Sequence, residues 1–198
     1  MPQEIHHHYI LHKPYGYLSQ FVNNQNKRKN KKLLGELHEF AEGTMAIGRL
    51  DETSEGLLLL TTNGKVSNYI TSNKVQKEYY VQVDGIITND AIVQLQKGVT
   101  ICTNGKHYNT KPCSVFFKFN LNEYPIEQRQ VRDERHGPTS WISITLTEGK
   151  FRQVRKMTAA VGFPTLRLIR VRIGSIKLDL DVGKVKEINN LGKSEKCI

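Results

Sequence analysis

The acid best placed for chemistry in this chain is Asp51. It stands in Gly48-Arg49-Leu50-Asp51-Glu52-Thr53-Ser54-Glu55-Gly56, a polar loop bounded by glycines, with Arg49 two positions earlier. A carboxylate on a short loop between interior strands is held rigidly enough to react. The same residue can instead cap the next element while Glu52 and Glu55 solvate the loop, and spacing alone does not choose. A second constellation is Glu148-Gly149-Lys150-Phe151-Arg152-Gln153-Val154-Arg155-Lys156-Met157, followed by Arg167, Arg170 and Arg172. Read as a helix, it carries Arg152, Arg155 and Lys156 on one face and leaves Phe151, Val154 and Val161 for the packed side. That cationic face suits phosphate, although a solvated surface helix shows the same pattern. An arginine fork suits a phosphate or a buried carboxylate equally.

Other residue types are less specific. Tyr79 and Tyr80 in a strand point to opposite faces, so one alone can look into a site. Aromatic packing is their plainer role, and a stacking platform for a base is the alternative. His6-His7-His8 makes a poor metal site, because a strand turns His7 away from its neighbours and no carboxylate or cysteine stands at ligand spacing. Three cysteines, Cys102, Cys113 and Cys197, without a C-x-x-C pair, speak against a disulfide framework or a cysteine-based zinc site. A glycosidase-like pair of carboxylates, Asp51 with Glu55, fits the residue types but leaves the basic segment unexplained.

These residues need elements to position them. Tyr9-Ile10-Leu11-His12 reads as a buried strand and Lys13-Pro14-Tyr15-Gly16 as a turn. A short strand is predicted at Leu18 to Val22. The run Lys27-Arg28-Lys29-Asn30-Lys31-Lys32 belongs on a solvated loop or helix start, as a solubilising stretch or an RNA contact. Leu33, Leu34, Leu37 and Phe40 recur at helical spacing, predicting a short amphipathic helix to about Ala41. Met45-Ala46-Ile47 is strand-like, and Leu57 to Thr62, apolar on both faces, belongs in mid-sheet. Further strands are predicted at Tyr79 to Val83, in short pieces over 99–119, at Trp141 to Leu146 and at Thr165 to Ile173. Helices are predicted at Val66 to Thr71, at Thr88 to Lys97 closed by Gly98, and at Phe151 to Val161 ended by Gly162. The polar segment 120–138 is a long loop of the functional or disordered kind. The pattern is that of an α+β domain on a largely antiparallel mixed sheet flanked by helices and loops, spanning residues 1–190, with a fraying tail over 191–198.

Composition narrows the class of function. The chain has 198 residues, with 29 Lys and Arg against 19 Asp and Glu, a net charge of +10. That length suits about one domain, and the excess of cations suggests an anionic partner. Hydrophobic residues at 38% can fill a core, while no apolar run approaches the roughly 18 residues of a membrane span. The N-terminus has no export or import presequence pattern, so a cytoplasmic protein is expected.

The segment from Gly48 to Thr61 resembles the active-site motif of the RsuA-type rRNA pseudouridine synthases. Lys77-Glu78-Tyr79-Tyr80-Val81-Gln82-Val83-Asp84-Gly85 and the run from Glu148 through Gly174 agree with the same family. Pro138-Thr139-Ser140-Trp141 and Gly162-Phe163-Pro164-Thr165-Leu166-Arg167-Leu168-Ile169-Arg170 most resemble its ribosomal large subunit synthase E branch. The resemblance implies the pseudouridine synthase catalytic fold and isomerisation of a uridine in 23S ribosomal RNA, free or in an assembling large subunit, by a monomer without cofactor or metal. It makes Asp51 the nucleophile, attacking ribose C1′ or uracil C6, Arg155 its basic partner and Tyr79 the residue against the uracil ring. A guanidinium beside a carboxylate favours its charged form and fixes its rotamer. The target uridine must leave its stack, at a cost of about a few kcal/mol. Arg49 is then a wedge or phosphate clamp, Arg152, Lys156 and Arg170 are candidates for the RNA groove, and Leu168 for the uracil pocket wall. Many relatives carry an S4 domain before the catalytic domain. Here the first catalytic-type strand begins near residue 9, so RNA recognition is expected on the catalytic domain itself, with the Lys27–Lys32 run supplying phosphate contacts. A non-catalytic RNA-binding assembly factor is the rival reading, against which the intact Asp51, Tyr79 and Arg155 set argues.

Overall fold

The structure, a computed structural model, describes residues 5–22, 30–72, 74–117 and 120–191. In chain order the strands are β1 (His8–Lys13), β2 (Met45–Ala46), β3 (Glu55–Thr61), β4 (Lys77–Asp84), β5 (Thr100–Thr103), β6 (Lys106–Asn109), β7 (Ser114–Phe116), β8 (Thr139–Leu146), β9 (Thr165–Ile173), β10 (Ile176–Lys177) and β11 (Val185–Ile188). The helices are α1 (Gly64–Thr71), α2 (Asn89–Lys97) and α3 (Gln153–Ala160). Among the described residues one mixed sheet runs in the order β11-β1-β3-β9-β4-β8-β7, with β2 on β3 and β10 on β9, and β5-β6 forms a separate hairpin. Its pairings are antiparallel except β3 with β9, so the fold is the expected α+β class. Among the described residues no helix is long and apolar enough to cross a membrane.

The all-apolar run of β3 is explained by what lies on its two faces. Leu57 and Leu59 enter one core with Tyr80, Ile169 and Val171, whereas Leu58 and Leu60 enter another with Tyr9, Leu11 and Leu34. A strand covered on both sides loses the polar alternation of a half-buried one. A third core joins Val81, Val83, Ile142, Ile144 and Leu168 to α2 and α3 through Ala91, Leu95, Val154 and Met157.

The parallel β3–β9 contact depends on one glycine. Gly56 has φ 102 and lies opposite Arg170; a Cβ there would stand 2.3 Å from the Arg170 carbonyl oxygen. Only a residue without a side chain lets the two backbones approach so closely. Register shifts between Glu78 and Tyr79 and between Gln82 and Val83 set off the Tyr79–Gln82 stretch within the pairing of β4 with β9. Such bulges re-aim side chains beside a site.

Several predicted elements differ. Leu18 to Val22 is no strand; Tyr17 makes a single bridge to Lys32. The helix predicted over 33–41 is reduced to a 3-10 turn at Leu34–Glu36. Leu34 is buried, and Leu37 and Phe40 pack against the β1–β3 core from an irregular segment, so tertiary burial overrides helical spacing. Lys13 belongs to β1 rather than to the turn. The third helix begins at Gln153 rather than Phe151, because Arg152 adopts the left-handed conformation, φ 53 and ψ 35. Phe151 consequently lies outside the helix and 65% exposed, not on its packed side. Of the basic run, Lys27 to Lys29 lie outside the described residues. Of the tail predicted over 191–198, Leu191 is instead buried in the core with Leu57 and Leu59, and 192–198 lie outside the described residues.

Candidate active site

The loop between β2 and β3 is fastened at almost every residue. Buried Ser19 receives a hydrogen bond from the Leu50 amide at 3.0 Å and donates to the Leu50 carbonyl at 2.9 Å. The Gly16 amide donates to the Glu52 carbonyl, and the Ser54 amide to the Asp51 carbonyl. Lys31 Nζ reaches Glu52 Oε2 at 2.6 Å with its side chain nearly buried, so this cation of the basic run serves the loop rather than solvent. Beneath the loop lies Lys13, wholly buried, its Nζ donating to the carbonyls of Ser54 at 2.7 Å and Pro14 at 2.8 Å. Burial pushes the Lys13 pKa down to about 8, while the carboxylates of Glu55 and Asp51 pull it back up.

Asp51 projects from this fixed loop with its side chain 24% exposed. Arg152 Nη1 donates to Asp51 Oδ2 at 3.0 Å, and Arg155 Nε stands 3.6 Å from the same oxygen. The arginine expected as partner is therefore the second neighbour, and Arg152, expected in the groove, makes the direct hydrogen bond. The left-handed residue before α3 turns Arg152 toward the acid, a conformation that costs about 1 kcal/mol or more for a non-glycine residue. Arg155 braces the loop instead. Its Nη2 donates to the Thr53 carbonyl at 3.0 Å and Ser54 Oγ at 3.2 Å, whereas its buried Nε makes no hydrogen bond among the described residues. Burial and the neighbouring Arg152 lower the Arg155 pKa, and Asp51 raises it; a guanidinium remains charged regardless.

Asp51, Arg49, Arg152, Tyr79 and Leu168 line one pocket with Glu148, Lys150 and Val154. Tyr79 is half-buried there, while Tyr80 is buried in the core on the other face of the strand. Leu168 also belongs to the core under α2 and α3, so it is both wall and packing. Two predicted groove cations are placed elsewhere. Arg170 is buried, its Nε donating to the Leu57 carbonyl at 2.8 Å, so it holds β9 to β3 rather than lining a groove. Lys156 is half-buried with its ammonium 5.1 Å from the Phe151 ring centroid, near the site but not in the Asp51 pocket.

Glu55 corrects both readings made of it. It neither solvates the loop nor pairs with Asp51 as a second catalytic carboxylate. It is buried, held by Arg167 through Nε at 3.0 Å and Nη2 at 2.8 Å, and by Arg129 Nη2 at 3.0 Å. A carboxylate closed off in this way is occupied by structure. Arg129 also stacks 4.3 Å from the Tyr15 ring centroid, so the 120–138 loop is fastened to the underside of the Asp51 loop.

Sequence reasoning missed Lys13, Ser19 and Arg129 as parts of the site's frame, and named Glu148 and Arg167 within the basic constellation without giving them that role. One signal was available, a lysine closing an apolar strand directly before proline. Glu148 is buried and accepts from Tyr108 Oη at 2.6 Å, the Lys111 amide at 2.8 Å and Gln153 Nε2. It joins the β5–β6 hairpin to the start of α3. The histidines have separate occupations: His7 Nδ1 meets Glu187 at 2.7 Å and His8 Nδ1 meets Thr61 Oγ1 at 2.8 Å.

Residues 7–160 match the family model for RNA pseudouridylate synthase. The chain is 40% identical over 172 residues to the ribosomal large subunit pseudouridine synthase E of Xanthomonas axonopodis pv. citri, covering 86% of this chain and 87% of that one. It is 39% identical over 184 residues to the enzyme of the same name from Vibrio parahaemolyticus, covering 90% and 72% respectively. A crystal structure of a pseudouridylate synthase superposes over 100% of this chain and 76% of that chain, with a TM-score of 0.73 at 24% identity, a likeness of fold.

Proposed function

The chain belongs to the RNA pseudouridylate synthase family, and from that premise we propose that it isomerises a specific uridine of 23S ribosomal RNA to pseudouridine, with Asp51 as nucleophile. One observation carries the reading: a partly exposed carboxylate on a rigid loop, held by Arg152 at 3.0 Å and Arg155 at 3.6 Å, in a pocket that Tyr79 and Leu168 also line. The names of the relatives, ribosomal large subunit pseudouridine synthases, support the choice of RNA.

The uridine swings out of its stack so that sugar and base come within reach of Asp51. The Tyr79 ring lies against the uracil and Leu168 closes the apolar wall. The carboxylate attacks ribose C1′ or uracil C6, and the bond from C1′ to N1 breaks. The uracil turns and C5 bonds to C1′, the bond from Asp51 to carbon breaks and frees the carboxylate, C5 gives up its proton and N1 gains one. The sum is an isomerisation, redox-neutral, and it asks for no cofactor. Arg152 and Arg155 keep the carboxylate aimed at the nucleoside. Arg49 on the rim occupies the space that the uridine leaves or clamps a flanking phosphate, and Lys156 adds to the field that holds the strand. The proposed setting is the cytoplasm, on free or assembling large-subunit RNA, and the proposed acting species is a monomer.

Mapping pseudouridines in ribosomal RNA from cells with and without the gene tests the reading. One site in 23S RNA is expected to disappear, to return with the wild-type gene and to stay absent with Asp51→Asn. An unchanged map, or a variant that restores the site, overturns it.

A further inference from the structure

We propose that the Phe151 ring is a stacking platform for the base of a nucleotide flanking the target uridine, with Lys150 and Lys156 beside its phosphates. The inference rests on the RNA reading above and adds a contact to it.

Phe151 is 65% exposed and has no place in any of the three apolar cores. A single exposed apolar side chain is ordinary; the position of this one is not. Both chain neighbours, Lys150 and Arg152, line the Asp51 pocket. The left-handed turn at Arg152 sends that guanidinium to Asp51 while Phe151 stays at the rim. Two cation–ring contacts adjoin the segment: Lys150 Nζ is 4.7 Å from the Tyr108 ring centroid, and Lys156 Nζ is 5.1 Å from that of Phe151. Interleaved aromatic and basic side chains recognise unstacked RNA, because every base has a π-face and every nucleotide a phosphate. The frame is fixed, since Tyr108 is tied to buried Glu148, which also receives Gln153 at the first position of α3. A nucleotide beside an extruded uridine has lost one stacking partner, and a ring at the pocket rim replaces it.

The test uses 23S RNA transcribed with uridine tritiated at C5, where isomerisation releases the label. KM and kcat are measured for the wild-type chain and for Phe151→Ala, Phe151→Leu and Phe151→Trp. Stacking predicts that Ala and Leu raise KM about tenfold and leave kcat within about twofold, and that Trp restores KM. Melting temperatures should match, because the ring is exposed. An unchanged KM in Phe151→Ala overturns the proposal, and so does Leu restoring KM as well as Trp does, since leucine supplies apolar bulk without a π-face. If the wild type releases no tritium, the RNA reading falls and this inference with it. Release with Phe151→Ala unaffected removes the inference alone.

Discussion

Asp51 and Glu55 stand four positions apart in one loop and have opposite fates. Asp51 at the tip keeps an open side with two guanidiniums behind it, whereas Glu55 at the root is enclosed by Arg167 and Arg129. The root carboxylate is spent on holding β3, β9 and the 120–138 loop together. Because that anchoring is done below, the tip carboxylate is free to be presented to a substrate. Charge type therefore does not separate the proposed nucleophile from the structural carboxylate; the number of contacts already filled does.

The largest effect should separate the two acids by what each replacement destroys. Asp51→Asn is expected to lower the turnover rate by roughly 10⁴-fold or more, read by tritium release, with a melting temperature near that of the wild type. Should it unfold the protein as readily as a change at Glu55, the contrast between tip and root is broken. Glu55→Gln leaves the buried Arg167 and the half-buried Arg129 short of a counter-charge and should cost about 3–5 kcal/mol of stability in urea denaturation.

The two arginines behind Asp51 sharpen the comparison. Arg152→Met removes one charge-assisted hydrogen bond to the acid, so activity should fall roughly 10- to 100-fold with little loss of stability. Arg155→Met also strips the donors from Thr53 and Ser54, so it should lower both, in parallel assays of turnover and melting.

The smallest effect comes from Lys13, which lies beneath both carboxylates. Its folded pKa of about 8 is below the ordinary 10.5. From about pH 8 upward the folded chain releases a proton that the unfolded chain still holds, so stability rises with pH until the unfolded lysine also titrates. The share of Lys13 between pH 7 and pH 9 is about 1 kcal/mol. Lys77, also brought to about 8 by burial, slopes the same way. Above about pH 10 the buried phenols of Tyr80 and Tyr124, both pushed upward by burial, oppose the rise. Glu55 supports the Lys13 charge more than Asp51 does, so denaturation against pH should show the rise beginning at lower pH in Glu55→Gln than in Asp51→Asn.

Much of this arrangement was legible from local pattern. The limits predicted for β9, Thr165 to Ile173, match those observed, and α2 ends at the predicted Lys97 with Gly98 closing it, while the predicted first residue Thr88 is its N-cap, because alternation and caps act within a few residues. The choice of Tyr79 over Tyr80 as the residue facing the pocket came with the motif register, and the two-residue period of a strand turns Tyr80 to the other face. The helix expected at 33–41 failed because its apolar residues are buried on the sheet without a helical backbone. Phe151 was misplaced because the left-handed turn at Arg152 answers to Asp51, which no pattern within that segment contains.

Local order thus settled the central strands β1, β3, β4, β8 and β9, where the polar loop interrupts them and which acid stands at its tip, but not the edge strand β11 or the absence of a strand at Leu18 to Val22. Tertiary structure alone decided which arginine touches that acid and which carboxylate disappears inside. Arg152 and Asp51 are 101 positions apart, and Arg167 and Glu55 are 112 apart. Periodicity and capping have a reach of one or two turns of chain. An ion pair depends on distance in space, and here the glycine-dependent crossing of β3 and β9 sets that distance.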